Sequence, residues 1–183
     1  MKKPIGWEQI EGVKIIKTPR FSDNRGSFME SHNKKNIKNA TGREINFVQD
    51  NISKSYRHVL RGLHIQIEKE QGKLIRAISG CIWDIAVDLR EYSPTYKEYT
   101  FNELSEDNNL QLWVPEGFAH GFYTVSAVAT VLYKVNEYWQ RESERTIIWN
   151  DSDLSIDWGL QGDPLLSEKD QLGLTLEEFN ESI

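Results

Sequence analysis

The chain has 183 residues, of which 27% are charged and 38% hydrophobic, a balance typical of a globular domain large enough to bury its own core. Its net charge of −6 argues against broad nucleic-acid binding, which needs many cations facing phosphates. Its apolar runs are far shorter than the roughly 20 residues that span a bilayer, so no membrane segment is predicted.

The N-terminal stretch MKKPIGWEQI has Pro4, Gly6 and Glu8 where a secretory signal would be hydrophobic. The single cysteine, Cys81, excludes an intrachain disulfide and is expected to be a small buried hydrophobe. These features predict a cytoplasmic protein. Because no repeat or linker divides the sequence, one domain over 1–183 is predicted.

Taken in chain order, the sequence consists mostly of short alternating or apolar runs, which indicate strands. A short helix is predicted over 34–42, and an apolar strand over 59–66. The clearest strands follow at 73–79, 81–89, 110–115 and 127–135. Gly80 separates two of them so tightly that it predicts a hairpin, and Ser93-Pro94 predicts a turn into another strand.

A second helix is predicted over 167–180, within a tail of about 160–183 that is expected to be partly helical. Many short strands punctuated by turn residues favour an antiparallel sandwich or barrel. We therefore predict an all-β protein, a jelly-roll β-sandwich with a few short peripheral helices.

The stretch VLRGLHIQ (59–66) places Arg61 and His64 inside an otherwise apolar strand. Strand side chains alternate between faces, so residues three positions apart point to opposite sides. A glycine inside a strand often marks a bulge or a close backbone approach. We predict that the backbone bulges near Gly62 and brings both side chains to one site.

The stretch DIAVDLR alternates apolar side chains with those of Asp84 and Asp88. The expectation for this acid pair is a solvated strand surface. The polar interior of a ligand-binding barrel is the alternative.

Four histidines are present, and His32 and His58 are expected at the surface. His64 and His120 stand close to turn glycines, and PEGFAH (115–120) matches the second cupin motif. The first cupin motif needs a histidine two positions after His64, where this chain has Gln66. No metal site is predicted.

Other chemistries have less support in the sequence. Cys81 lies in an apolar strand and no serine has an elbow-like glycine context, so nucleophilic catalysis is not predicted. Glycine loops of the Walker or dinucleotide type are absent. General acid–base chemistry by imidazole and phenol groups remains.

Ordered segments along nearly the whole chain carry a resemblance to one known family. They are FSDNRGSFMES (21–31), FVQDNISKS (47–55), LRGLHIQ (60–66), QGKLIR (71–76), DIAVDLREYSPT (84–95), WVPEGFAHGF (113–122), LYKVNEYW (132–139), WNDSDLSIDW (149–158) and LSEKD (166–170). In these segments the chain resembles the dTDP-4-dehydrorhamnose 3,5-epimerases of nucleotide-sugar metabolism, which have a cupin jelly-roll fold.

The resemblance implies epimerisation at C3 and C5 of dTDP-4-dehydro-6-deoxy-D-glucose in the route to dTDP-L-rhamnose, without a cofactor or metal. It implies that His64 is the general base, that Asp170 orients it, and that Tyr133 is the acid on the opposite face of the sugar. Lys73 matches the cation placed near the developing enolate.

The resemblance also implies a set of substrate-binding residues, which are Arg25, Phe28, Glu30, Gln49, Asp50, Asn51, Arg61, His120, Tyr138, Trp139, Glu144 and Lys169. Trp139, beside Tyr138, stands where the family's aromatic stacks on thymine. A tyrosine is expected at that position, so the tryptophan is a departure that keeps a stacking face.

The implied partners are a dTDP-linked 4-keto-6-deoxy sugar and a second copy of the chain. The N-terminal segment of about 1–50, which carries Arg25 and Glu30, would contribute to a homodimer and complete the neighbour's site.

Several alternatives stay open at this point. Ser167 and Asp170 also fit a capping-box start of a helix, and Asp170 is expected to serve His64 only by abandoning that cap. The enzyme could act at one carbon only, C3 or C5. It could instead be a metal-dependent cupin using His64 and His120, or a non-catalytic sugar-nucleotide binder.

Overall fold

Twelve strands carry most of the regular structure in the computed structural model, which describes residues 3–183. The strands are β1 (Lys14–Lys17), β2 (Arg20–Asp23), β3 (Gly26–Met29), β4 (Gln49–Tyr56), β5 (Leu60–Gln66), β6 (Lys73–Ser79), β7 (Cys81–Asp88), β8 (Tyr99–Ser105), β9 (Leu110–Val114), β10 (Phe118–Thr124), β11 (Val128–Val135) and β12 (Glu144–Thr146). The helices are a 3-10 turn (Trp7–Gln9), α1 (Lys34–Thr41), α2 (Glu168–Gln171) and α3 (Leu176–Glu181).

Ten of these strands form two five-stranded antiparallel sheets. The first sheet has the order β1-β9-β6-β11-β4, and the second has the order β12-β5-β10-β7-β8. Apolar residues of both sheets form one shared cluster, including Ile75 and Val131 of the first and Ile82 and Phe122 of the second. The sheets therefore pack face to face as a jelly-roll sandwich, and the predicted all-β fold is confirmed.

The second sheet is covered on its outer face as well. Leu63, Ile85 and Tyr123 of this sheet pack against Trp158 and Phe179 of the C-terminal segment. Because both faces are buried, the expectation that Asp84 and Asp88 lie on a solvated surface is wrong, and both side chains are fully buried.

The predicted hairpin at Gly80 is also wrong. β6 ends at Ser79 and β7 begins at Cys81, but the two strands belong to different sheets and do not pair. The chain crosses from one layer of the sandwich to the other at this glycine. A short connection between two strands is compatible with a hairpin or with a crossing, and only the pairing partners decide between them.

The helices follow the sequence in part. α1 matches the predicted segment 34–42, with the side chain of Asn33 accepting backbone hydrogen bonds at its start. The predicted helix over 167–180 is interrupted between Leu172 and Thr175, which leaves α2 and α3 as separate short helices. Within residues 3–183, none of the helices has the length and apolar character needed to cross a membrane.

Three side chains are placed differently from expectation. His32 and His58 are half-buried instead of lying on the surface. The ring of His32 packs edge-on against Phe47, and the ring of His58 is hydrogen-bonded to the hydroxyl of the buried Tyr123. Cys81 is half-buried instead of fully buried, and burial raises the pKa of its thiol to about 11.

The predicted bulge near Gly62 is confirmed by the pairing of β5 with β10. His64 lies opposite His120, and Arg61 lies opposite Phe122, so three steps along β5 face two steps along β10. Gly62 has φ of 122°, and its peptide bond with the next residue is cis. The extra residue corrects the strand parity, and both Arg61 and His64 line the same cavity.

Gly62→Ala is expected to lower the free energy of unfolding by about 3 kcal/mol. A Cβ at this position would lie 2.6 Å from Cα of Gly121, in a left-handed backbone. Gly42→Ala is the control, because Gly42 has φ of 71° with open space around it and should cost only about 1 kcal/mol. Urea unfolding measures both variants, and equal losses would contradict the close approach of β5 to β10.

Candidate active site

A cavity of about 420 Å³ opens between the two sheets. It is lined by polar and charged side chains together with a few apolar ones. The lining residues are Gln49, Asn51, Ser53, Arg61, His64, Gln71, Lys73, Ile75, His120, Phe122, Val131, Tyr133, Trp139 and Glu144. A cavity with a few convergent polar groups among apolar ones is the usual form of a small-molecule site.

His64 of β5 is held by a carboxylate from the C-terminal segment. Its Nε2 lies 2.6 Å from Oδ1 of Asp170, and since a carboxylate only accepts, the ring donates its N–H there. Within residues 3–183, Nδ1 of His64 has no hydrogen-bond partner. The ring therefore presents Nδ1 as its free basic nitrogen.

Asp170 keeps its helix cap while it contacts His64. The hydroxyl of Ser167 accepts the backbone N–H of Asp170 and donates to its Oδ2 at 2.8 Å, which leaves Oδ1 for the imidazole. As expected, the carboxylate of Asp170 serves His64 and takes no part in a capping box, since the hydroxyl of Ser167 alone supplies the cap. Burial raises the pKa of Asp170, but hydrogen bonds from His64 and Ser167 outweigh it and hold that pKa below its usual range.

The pKa of His64 lies below its usual value. Burial has the largest effect, because a charged imidazole loses water in the cavity. The hydrogen bond to Asp170 opposes this, whereas the positive charges of Lys169 and Lys73 add to it. At neutral pH the ring is therefore uncharged and able to accept a proton.

Tyr133 of β11 faces His64 from the opposite sheet. It stands between Asn51 of β4 and Ile75 of β6 in the strand register. Burial raises the pKa of its phenol, which therefore keeps its proton at neutral pH. The cavity thus has a proton acceptor on one wall and a proton donor on the other.

Lys73 of β6 reaches across the cavity from the first sheet. Its Nζ donates to the backbone carbonyl of His64 at 3.3 Å. Burial lowers the pKa of this ammonium to about 8. Lys73 is therefore mostly charged at neutral pH and provides the positive charge next to the imidazole.

A second histidine–carboxylate pair lies beside the first. Nε2 of His120 is 2.9 Å from both oxygens of Asp84, whose side chain is fully buried on β7. His120 lies opposite His64 across the β5–β10 pair. The buried carboxylate fixes the orientation of the His120 ring at the wall of the cavity.

Further polar side chains are held in place around the opening. Nε of Arg61 donates to the hydroxyl of Ser55 at 3.0 Å. Glu144 forms an ion pair of 2.7 Å with Lys169. The segment after β11 is also joined to β4, since the backbone N–H of Trp139 donates to the side chain of Gln49 at 3.2 Å.

Seven of the residues expected at the site from sequence resemblance lie elsewhere than on the cavity wall, or reach it through a partner. Asp170 contacts His64, and Lys169 contacts Glu144. Tyr138 is 58% exposed near the rim. The others lie on the outer side of β4, where Asp50 pairs with Lys134, or in and next to the N-terminal β2–β3 hairpin, namely Arg25, Phe28 and Glu30.

Two polar groups on the cavity wall, Ser53 and Gln71, were missed by the sequence analysis. Ser53 could have been found, because it has the same strand parity as Gln49 and Asn51. Asp84, which holds His120, agrees with the alternative that this acid lies in the polar interior of a ligand-binding barrel. Its parity alone could not select that alternative, because it does not reveal which face of β7 points between the sheets.

Among residues 3–183, no group of three or more His, Cys, Asp or Glu side chains is arranged to hold a metal ion. The groups that do converge are a neutral imidazole, a protonated phenol and an ammonium. Such a set can remove a proton from a carbon acid on one side, return a proton on the other, and stabilise the negative charge that develops between these steps.

The comparisons with known proteins agree with this site. Residues 8–178 match the family described as dTDP-4-dehydrorhamnose 3,5-epimerase. The chain is 52% identical over 160 residues to dTDP-4-dehydrorhamnose 3,5-epimerase of Pseudomonas aeruginosa, covering 87% of this chain and 88% of the relative. It is 48% identical over 163 residues to the enzyme of the same name from Shigella flexneri, covering 88% and 90%.

A solved structure has the same fold over nearly its whole length. It is the crystal structure of dTDP-6-deoxy-D-glucose-3,5-epimerase from Legionella pneumophila in complex with dTDP-4-keto-L-rhamnose. The TM-score is 0.92 at 42% sequence identity, and the match covers 95% of this chain and 93% of that chain.

Asp170→Asn is expected to lower the pKa of His64 further below its present position. The carboxylate is the group that favours the imidazolium, so its loss leaves burial and two cations acting in the same direction. NMR titration of the ¹⁵N-labelled histidine ring measures the change. Glu177→Gln, an exposed acid in α3, is the control and should leave this pKa unchanged; a rise in Asp170→Asn would contradict the assigned hydrogen bond.

Proposed function

Because the chain belongs to the dTDP-4-dehydrorhamnose 3,5-epimerase family, we propose that it epimerises C3 and C5 of dTDP-4-dehydro-6-deoxy-D-glucose. The product would be dTDP-4-dehydro-L-rhamnose, on the route to dTDP-L-rhamnose. The observation that carries this proposal is a neutral His64, held by Asp170, facing the protonated Tyr133 across one cavity. A cytoplasmic location stays a prediction.

The ketone at C4 makes the hydrogens on C3 and C5 acidic. In the proposed mechanism Nδ1 of His64 takes the proton from the carbon, and the electron pair of the C–H bond moves into an enolate on the C4 oxygen. Tyr133 then delivers a proton to the other face of the same carbon, which inverts the centre. At one carbon the protons balance, because His64 gains one and Tyr133 loses one. His64 then releases its proton to solvent and Tyr133 takes one up before the second carbon reacts.

The enolate needs a positive charge near the C4 oxygen. Lys73 is suited to this role because it lies beside His64 and is mostly protonated at neutral pH, with a pKa of about 8. Asp170 has a different role, since it stabilises the imidazolium that forms when His64 accepts the proton. The positive charge of Lys73 therefore stabilises the enolate, and the negative charge of Asp170 stabilises the imidazolium that forms in the same proton transfer.

The nucleotide half of the substrate needs other groups. Arg61 is held by Ser55 and is suited to the diphosphate, for which a guanidinium is a good partner. Trp139 is 51% exposed at the opening, where an indole can stack on the thymine base. The predicted tyrosine is replaced here by a larger ring that keeps the flat face.

In heavy water, the protein is expected to introduce deuterium at both C3 and C5 of dTDP-4-dehydro-6-deoxy-D-glucose, measured by NMR. His64→Ala should lower this exchange by about 10³-fold, because it removes the imidazole that Asp170 holds opposite Tyr133. Tyr133→Phe should impair inversion more than proton removal. Tyr92→Phe, at a tyrosine that is 85% exposed, is the matched control and should leave both rates unchanged.

The alternative functions predict different outcomes in the same experiment. Deuterium at one carbon only would identify an epimerase that acts at a single centre. Tight dTDP binding without any exchange would identify a non-catalytic binder. Exchange that a chelator abolishes and one added metal restores would support the metal-dependent cupin reading.

We also propose that the protein is a homodimer whose N-terminal segment completes the neighbour's site. The support is the β2–β3 hairpin, which is largely exposed in the single chain and has Phe21 at 65% and Phe28 at 69% exposure. Arg25, at its turn, pairs with Asp23 of the same hairpin instead of reaching the chain's own cavity. Large exposed aromatic side chains on a projecting hairpin are typical of a surface that another molecule covers.

Subunit mixing tests this exchange. His64→Ala and Arg25→Ala are each expected to be impaired, but the mixed dimer of the two variants should have about half of the wild-type activity, since one of its two shared sites would be intact. Activity of the purified mixed dimer, carrying two different tags, is the measurement. If each site used only residues of its own chain, mixing would restore nothing.

A further inference from the structure

Gln66 is a buried residue of β5 that the proposed mechanism does not use. It follows His64 by two positions, where the first cupin motif has a second histidine. Its side chain is 4% exposed and does not line the cavity. Any influence of Gln66 on the site must therefore pass through the residues that it holds.

Both ends of the Gln66 amide bind main chain. Nε2 donates to the carbonyl of Lys69 at 2.7 Å and to the carbonyl of Tyr138 at 3.2 Å, which uses both of its N–H groups. Oε1 accepts the backbone N–H of Gln140 at 2.8 Å. The side chain thus holds the carbonyl before Trp139 and the N–H after it, as a neighbouring strand would.

The segment that carries Trp139 is held by side chains from both sheets. Residues 136–143 connect β11 with β12 and are neither helix nor strand. The backbone N–H of Trp139 itself donates to Oε1 of Gln49 at 3.2 Å. Gln49 belongs to β4 of the first sheet and Gln66 to β5 of the second, so two glutamines fix the main chain at one residue across the sandwich.

Trp139 depends on such support because its own side chain is only partly packed. The indole is 51% exposed and lines the cavity. Side chains with few buried contacts are mobile, and a mobile ring must be ordered when a base stacks on it, which costs binding free energy. Fixing the main chain on both sides of Trp139 lowers that cost before the ligand arrives.

We propose that Gln66 is a positioning residue for nucleotide binding, which acts through Trp139 by fixing the main chain on either side of it. The inference rests on the proposed function, since it assumes that a nucleotide base stacks on this indole. It also accounts for the departure from the cupin motif. A neutral histidine has one ring donor and one ring acceptor, so it could not make the three hydrogen bonds of Gln66.

Gln66→Met is expected to weaken dTDP binding by about fivefold, measured by calorimetry. Methionine nearly keeps the length and volume of the side chain but has no amide, so the main chain at Trp139 is released. The kcat for deuterium exchange should stay within about twofold of the wild-type value, because His64 and Tyr133 are unchanged. The loss should therefore appear in KM.

Trp139→Ala tests whether the effect passes through the indole. Alone it should weaken dTDP binding by about tenfold, because the stacking face is lost. In the Trp139→Ala background, Gln66→Met should weaken binding by less than about twofold, since no ring is left to position. A full fivefold loss in both backgrounds would overturn the inference.

Asn108→Leu is the matched control for lost main-chain hydrogen bonds. Oδ1 of Asn108 accepts the N–H groups of Ser105 and Leu110, and Nδ2 donates to the carbonyl of Glu103. Asn108 lies between β8 and β9 and does not line the cavity. Asn108→Leu and Gln66→Met should each lower the melting temperature by about 5 °C. Equal losses of dTDP affinity in both variants would point to general destabilisation and would overturn the role of Gln66.

A spectroscopic measurement follows Trp139 without any ligand. The chain has six tryptophans, and ¹⁹F NMR of protein labelled with 5-fluorotryptophan gives a signal for each, with that of Trp139 identified by its loss in Trp139→Phe. In Gln66→Met this signal should shift and broaden more than the other five. Gln66→Asn, whose amide is one methylene too short to keep all three hydrogen bonds, should give the same change if Gln66→Met does not fold. An unchanged Trp139 signal would overturn the inference.

The outcomes separate the inference from the proposed function. If wild-type protein binds dTDP and Gln66→Met binds it equally well, the role of Gln66 is overturned and the proposed function stands. If the wild-type protein does not bind dTDP, the proposed function itself fails.

Discussion

The hydrogen bond between His64 and Asp170 is the interaction on which the site depends, and it joins residues 106 positions apart. Asp170 stands on a four-residue helix, which is too short to be stable by itself. Bridges at Val59–Leu165 and Ile147–Leu174 fix the chain on either side of that helix, and the segment beyond it packs into the core. The geometry of the imidazole is therefore only as stable as the docking of the C-terminal segment.

Two cations that line the cavity, Arg61 and Lys73, have no carboxylate partner within residues 3–183, whereas the carboxylates at the site are paired. Asp84 is paired with His120, and Glu144 with Lys169, as expected when charged groups lose water. Lys73 forms no ion pair within residues 3–183, and burial lowers its pKa to about 8. An unpaired ammonium is costly in the free protein, but it is suited to a negative charge that forms only during the reaction.

The sequence predicted the all-β architecture well, because alternation and turn residues are local signals. It also predicted the bulge, because Arg61 and His64 would otherwise have the wrong parity. The hairpin predicted at Gly80 was wrong, because a hairpin depends on which strands pair. The solvated surface predicted for Asp84 was wrong, because exposure depends on what covers the faces of β7. Asp170 was found by resemblance, since no local pattern connects it with His64.

The close approach of Gly62 to Gly121 has a consequence for how this site can change. A Cβ at position 62 would meet the backbone of β10, and a Cβ at position 121 would lie 2.7 Å from the backbone carbonyl of Arg61. Since each collision is with main chain, trimming a neighbouring side chain cannot relieve it. Directed evolution of a new specificity is therefore expected to accept no side chain at Gly62 or Gly121. Substitutions that alter the site would have to fall on β4 or at the rim of the cavity.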